Sequence, residues 1–160
     1  MRARFVLLGA VLTIGLAACG GGSGGDKAAK PAANAAAPHA AGNASIKISM
    51  SSLGNILTDQ SGRTLYAFTN DKNGASSCTG GCIATWPALA SKEKVTAAAG
   101  VNPALLKETK RAEGTGQATY GAWPLYYYAG DMGPGDVDGQ GVDGVWFVVG
   151  ADGKLIKTAQ

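Results

Sequence analysis

Histidine is almost absent from this sequence. The only one, His39, lies in a run of Ala, Pro and Asn with no second metal ligand near it. A catalytic triad built on histidine, or a histidine proton shuttle, is therefore excluded from the rest of the chain. Cysteine is scarce too, at three residues, and neither the Cys-x-x-Cys spacing of thioredoxin-like proteins nor the haem-attaching Cys-x-x-Cys-His occurs. Charge is sparse and balanced. Of the 14 basic and 11 acidic residues, Arg2, Arg4, Lys27, Lys30 and Asp26 precede residue 45, which leaves equal numbers of each sign beyond it. Such a domain offers no basic stripe to grip nucleic acid or an anionic membrane surface. Its glycine-rich stretches do not lead from a strand into a helix, so they are not nucleotide fingerprints.

What is present begins with a leader. Met1-Arg2-Ala3-Arg4 is positive, and Phe5 to Leu16 is apolar but too short to span a bilayer comfortably. It closes on Leu16-Ala17-Ala18-Cys19, which resembles a bacterial lipobox. Residues 1–18 then read as a lipoprotein signal peptide, and Cys19 as the acylated first residue of the mature chain. Several acyl chains on one residue suffice for stable anchoring. Gly20 stands where an aspartate would favour retention in an inner membrane, so an outer membrane is expected where the cell has one. Residues 19–44, rich in Gly, Ala and Pro, lack the large apolar side chains that offset ordering entropy. They read as a tether that lets the domain sit on the order of 25–30 Å from the lipid.

Residues 45–160 are left to fold. Leu65-Tyr66-Ala67-Phe68-Thr69-Asn70-Asp71 recurs sixty residues on as Leu125-Tyr126-Tyr127-Tyr128-Ala129-Gly130-Asp131, and the same offset lays Trp86 on Trp146. The repeats run near 53–89 and 113–149. Short alternating runs such as Ile46-Lys47-Ile48-Ser49-Met50, broken by Gly, Asn and Asp, predict a mainly β fold. Asn102-Pro103 reads as the cap and first turn of one short helix over 104–108, between the repeats. A small antiparallel β domain built from two pseudo-repeats is expected.

Residues two apart in a strand share a face, so Tyr66 and Phe68 lie together, as do Tyr126 and Tyr128, with Leu65 and Ala67 turned away. Trp86 and Trp146 are expected to close over these ladders. Asp71 and Asp131 fall at the strand ends, where a carboxylate can accept loop amides. A catalytic pair of carboxylates is the competing role. Tyr120, Tyr127 and Trp123, lying off the ladder, are the expected exposed contact residues. Cys78 and Cys82 enclose Thr79-Gly80-Gly81 and read as a disulfide. The alternative is an accessory redox or copper-handling pair, with Met50 or Met132 adding a soft ligand. Asp136 to Gly141 begins like a calcium loop, but Phe147 stands where its bidentate glutamate belongs, and only Asp131 and Asp143 nearby keep a weak calcium site open.

The doubled Tyr-x-aromatic-x-x-Asp pattern, Ser77-Cys78-Thr79-Gly80-Gly81-Cys82 leading to Trp86-Pro87-Ala88-Leu89, and Gly139-Gln140-Gly141 before Val145-Trp146 together resemble the bacterial secreted-repeat lipoproteins over nearly all of residues 53–153. The resemblance implies an exported, often lipid-anchored protein with tandem repeats, of unknown molecular function. The second repeat departs from the first in having Asp138 and Val142 where the cysteines stand. The combined expectation is a non-catalytic binding or scaffolding module without a cofactor or metal. Its partners are the membrane, through Cys19, and an unidentified envelope protein or ligand, and nucleic acid is excluded.

Overall fold

Alternation of apolar and polar side chains sets the architecture. The computed structural model describes residues 44–158, so the expected signal peptide, Cys19, His39 and all but the last residue of the tether lie outside the described residues. In chain order the elements are β1 (Ser45–Ser51), β2 (Gly54–Asp59), β3 (Tyr66–Phe68), α1 (Gly81–Thr85), β4 (Thr96–Ala97), β5 (Leu106–Lys110), β6 (Gly116–Tyr120), β7 (Trp123–Pro124) and β8 (Trp146–Val148), with a 3₁₀ turn at Val142–Gly144 before β8. The fold is mainly β, as the alternating pattern predicts. Among the described residues no helix is long and apolar enough to cross a membrane.

Three small sheets are formed, ordered β2-β1-β4, β3-β8 and β5-β6-β7. The β1–β2 hairpin of the first repeat corresponds to the β5–β6 hairpin of the second, and both are antiparallel. The sheets meet at the two copies of the tyrosine motif. Tyr66 N–H donates to the Tyr126 carbonyl at 2.8 Å, and Tyr126 N–H donates back to the Tyr66 carbonyl at 2.9 Å. This reciprocal pair places a local pseudo-two-fold axis between the repeats.

Outward from that axis the pairing is crosswise. The strand around Ala67 lies against residues 145–149 of the other repeat, with Ala67 opposite Phe147 and Thr69 N–H donating to Val145 O at 2.9 Å. The strand around Tyr127 lies against residues 85–89 of the first repeat. There Leu89 N–H reaches Leu125 O at 2.9 Å and Tyr127 N–H reaches Pro87 O at 2.8 Å. Pro87 has no N–H to return, so this arm is a chain of bridges rather than a regular strand. Four segments thus lie side by side in the order 85–89, 125–129, 65–69 and 145–149. Each repeat lends its tryptophan segment to the other.

Period-two alternation along these segments separates two cores. Leu65, Ala67, Leu125 and Tyr127 point into one, together with Ile46, Leu57, Leu89, Tyr120 and Val149. Tyr66 and Tyr126 point into the other, with Trp86, Trp146, Ile56 and Val148. Gly121 turns β6 into β7 with φ of 63°, in the left-handed region that glycine occupies without strain.

Three expectations are corrected here. Residues 104–108 are not helical. Asn102 does cap a turn, its Oδ1 accepting Ala104 N–H at 3.0 Å, but from Leu106 the chain enters β5 and pairs with β6. Packing of Leu105 and Leu106 against the first core, with a neighbouring strand to complete, outweighs the local helical signal. The short helix instead lies inside the first repeat, at α1. Tyr120 and Tyr127 are buried rather than exposed contacts, and Trp123 packs partly buried against the first core. Tyr120 OH donates to Ala151 O at 3.0 Å, and Tyr127 OH donates to Asp59 Oδ2 at 3.2 Å.

Candidate functional site

The motif tyrosines and aspartates are joined across the axis, not within one repeat. Tyr66 OH donates to Asp131 Oδ2 at 2.9 Å, and Tyr126 OH donates to Asp71 Oδ2 at 2.7 Å. The second oxygen of each carboxylate takes a loop amide: Ser77 N–H at 2.7 Å on Asp71, and Asp138 N–H at 3.1 Å on Asp131. Each aspartate therefore ties its own glycine-rich loop to the other repeat's tyrosine. Gly139 is required at this junction. Its N–H donates to Tyr66 OH at 3.2 Å, and a Cβ there would meet Tyr66 and Trp86 ring atoms at 2.8–2.9 Å.

The two ties differ electrostatically. Burial pushes the Asp131 carboxyl up to about 6; the Tyr66 hydroxyl and Asp138 amide bonds oppose that rise, while the carboxylates of Asp138 and Asp136 add to it. Burial also drives the Tyr66 and Tyr126 phenols above the usual range, so both stay protonated donors. The Asp71 side is backed by a buried guanidinium to which no sequence motif points. Arg111 donates to Ser76 Oγ at 2.7 Å, Gln117 Oε1 at 2.8 Å and Cys78 O at 2.8 Å, and Ser76 Oγ in turn contacts Tyr126 OH at 2.7 Å.

A pH dependence follows from the raised Asp131 value. Its folded carboxyl titrates near 6 and its unfolded one near 3.8, so between these values the folded state holds more protons. The contribution to stability is full below about 3.8 and is lost as pH rises through 6. Relative to Asp131→Asn, the native protein should gain about 1–2 kcal/mol between pH 7.5 and pH 4 in urea unfolding. Parallel pH profiles for the two proteins would exclude this role.

Cys78 and Cys82 form a disulfide with Cα atoms 5.4 Å apart. It pins the loop that Asp71 and Arg111 also hold, so the sequence's first reading of this pair describes the structure. In the second repeat Gln140 fastens the matching loop, with Oε1 accepting Val148 N–H at 2.9 Å and Nε2 donating to Ile156 O at 2.7 Å. Met50 and Met132, the soft ligands considered for copper, are 85% and 73% exposed. Among the described residues no three His, Cys, Asp or Glu side chains converge as a metal site would require.

Above the ties the aromatic residues form one row. Phe68 stacks on Trp146 at 4.3 Å between centroids and Trp146 on Trp86 at 3.9 Å with planes 3° apart, while Tyr128 covers the other face of Trp86 at 4.4 Å, tilted by 32°. The two tryptophans are thus the central rungs, and each outer ring comes from the repeat opposite to the tryptophan's own. Tyr66 and Tyr126 support Trp86 and Trp146 edge-on, at 5.5 and 5.2 Å. All four stacked rings line an open groove of about 380 Å³, completed by Cys82, Thr85, Val142, Val145, Asn70 and Asp143. Asp71 and Asp131 do not line it. Each accepts from a tyrosine hydroxyl whose ring supports the row edge-on.

Sequence reasoning located the rings and the aspartates but did not place Asn70 and Asp143 beside the rings in one groove. Asn70 lies inside the motif itself. Asp143, with φ of 53°, is placed by the 3₁₀ turn, which stands where α1 stands in the first repeat.

Two segments, residues 47–90 and 107–150, match the model of one family, described as a secreted repeat of unknown function. No curated protein and no solved structure matches the chain.

Proposed function

The chain belongs to this secreted-repeat family, Lipoprotein_15, and from that premise we propose that it is a lipid-anchored module of the cell envelope that binds a partner through the aromatic groove and does not catalyse. The observation that carries this reading is the four-ring row. Two repeats spend their most specific residues on building one groove at their shared axis, and the carboxylates that could have served chemistry are engaged beneath it. A concavity lined by aromatic rings together with a few placed polar groups is the usual form of a recognition site. Anchoring through Cys19 and the tether of residues 19–44 would hold that groove close to the membrane surface, the outer membrane where there is one.

A photo-crosslinking residue at Asn70, compared with one at exposed Lys107 on β5, tests this in whole cells. The expected result is an adduct from position 70 alone, abolished by Tyr128→Ala, with the protein sedimenting with membranes and Cys19→Ser released from them. Equal adducts from both positions would remove the groove as the contact surface. Retention of Cys19→Ser on membranes would remove the lipid anchor.

A further inference from the structure

We propose that the groove takes a proline-rich peptide segment of a partner protein, in the polyproline II conformation and carrying a basic residue beside it. This rests on the groove being the binding surface. The inference begins with the tryptophans. Each has both faces covered, Trp86 by Trp146 and Tyr128, and Trp146 by Trp86 and Phe68, so only ring edges reach the groove. Ring edges carry partial positive charge and, in tryptophan, the indole N–H.

Trp86 and Trp146 are 96% and 97% buried, yet neither indole N–H has an acceptor among the described residues, and neither is shut off from solvent. The Tyr128 hydroxyl, at the end of the same row, also lacks a partner among the described residues. A buried aromatic with a polar handle ordinarily finds a hydrogen-bond partner. Here two handles from residues at matching positions in the two repeats, both lining the groove, have no protein acceptor and remain free to donate. The site is built for a ligand that brings a row of acceptors.

A proline-rich backbone is such a ligand. Its carbonyls have no internal partners, proline contributes no N–H, and the chain enters binding already ordered. At about 3.1 Å per residue, roughly four residues of this helix match a row of four rings spaced 4.3, 3.9 and 4.4 Å apart. Sugars, the other neutral acceptor-rich ligands, bring a donor with every hydroxyl and pack best on ring faces, which the two central rings do not offer. Charge narrows the choice further. The lining residues include one carboxylate, Asp143, and no cation, and position 83, its counterpart in the first repeat, is Ile. An anionic ligand is disfavoured, and a basic residue flanking the prolines would set one direction along an otherwise two-fold groove.

The chain has three tryptophans, and the third, Trp123, lies on the first core, away from the groove. Indole N–H resonances in a ¹H–¹⁵N spectrum of the folded protein therefore contain their own control. Titration with a decaproline peptide bearing one arginine should shift the Trp86 and Trp146 signals saturably and leave Trp123 unmoved. Tyr128→Phe, which removes a hydroxyl without a protein partner, should weaken binding several-fold with no change in melting temperature. Two outcomes would overturn the proposal: no shift with the peptide, or shifts only with a neutral tetrasaccharide or a Gly/Ser peptide of equal length and charge. The tetrasaccharide outcome would leave the groove as a binding site and change only its ligand.

Discussion

Cut between the repeats, the domain should lose its fold on both sides. Residues 45–98 and 99–158, prepared separately, are each expected to show the circular dichroism of an unfolded chain, and to recover β structure only when mixed. The reason is the crosswise pairing. Alone, the first repeat keeps its strand around Ala67 but not the 145–149 segment that bonds to it, and keeps Trp86 but not Tyr128 or Trp146 to cover it. Asp71 would face water or burial without Tyr126, and Tyr66 without Asp131. A chain near 60 residues is marginal even with its own core complete. Cooperative unfolding of either half alone would mean that a repeat is self-sufficient.

The second large effect is expected at the tryptophans. Trp86→Ala or Trp146→Ala should each lower stability by about 3–5 kcal/mol, the range for truncating a buried large aromatic. Each change removes a ring stacked on both faces and supported edge-on by a tyrosine. The double variant should cost less than the two single losses added together, because the contact at 3.9 Å between the two rings is lost once in either case. Chemical denaturation of the three variants measures this. A loss below about 1 kcal/mol at either position would show that the row does not hold the repeats together.

Much of this was legible before any coordinates. The sixty-residue offset and the alternation around Tyr66 and Tyr126 carry the β fold, the doubled unit and the two faces of the central strands. The crosswise exchange was not legible, for a definite reason. Repeats of one pattern present the same pairing chemistry, so the sequence does not say whether the Trp146 segment completes its own repeat or the other. That choice is made by chain geometry around the axis at Tyr66 and Tyr126.

Local signals also misled where tertiary contacts outweighed them. Asn102-Pro103 has the chemistry of a helix start, and it does form a turn, but Leu106 continues into a strand that β6 was waiting to pair. Tyr127 reads as an exposed contact residue because it lies off the aromatic ladder. It lies off the ladder because it belongs to the opposite core, where Arg63 stands over its ring at 4.8 Å. Arg111 had no motif at all. Its importance depends on Ser76 and Cys78, from the distant disulfide loop, and Gln117, from β6, converging on it.

The exchange also means that the residues that fix the fold are those that build the groove. Tyr66 and Tyr126 fix the carboxylates with their hydroxyls and prop the tryptophans with their rings. The groove therefore exists only when both repeats are engaged. A family built on doubled repeats would, on this account, need the doubling to make its surface and not merely to enlarge it.

A double-mutant cycle between Tyr66→Phe and Asp131→Ala, set against the cycle between Tyr66→Phe and Asp71→Ala, addresses that exchange directly. The account expects a coupling of about 1–3 kcal/mol for Tyr66 with Asp131, the aspartate of the other repeat, and about zero for Tyr66 with Asp71. Coupling of Tyr66 to Asp71 of equal or greater size would mean that each repeat closes on itself, and the shared groove would have no basis.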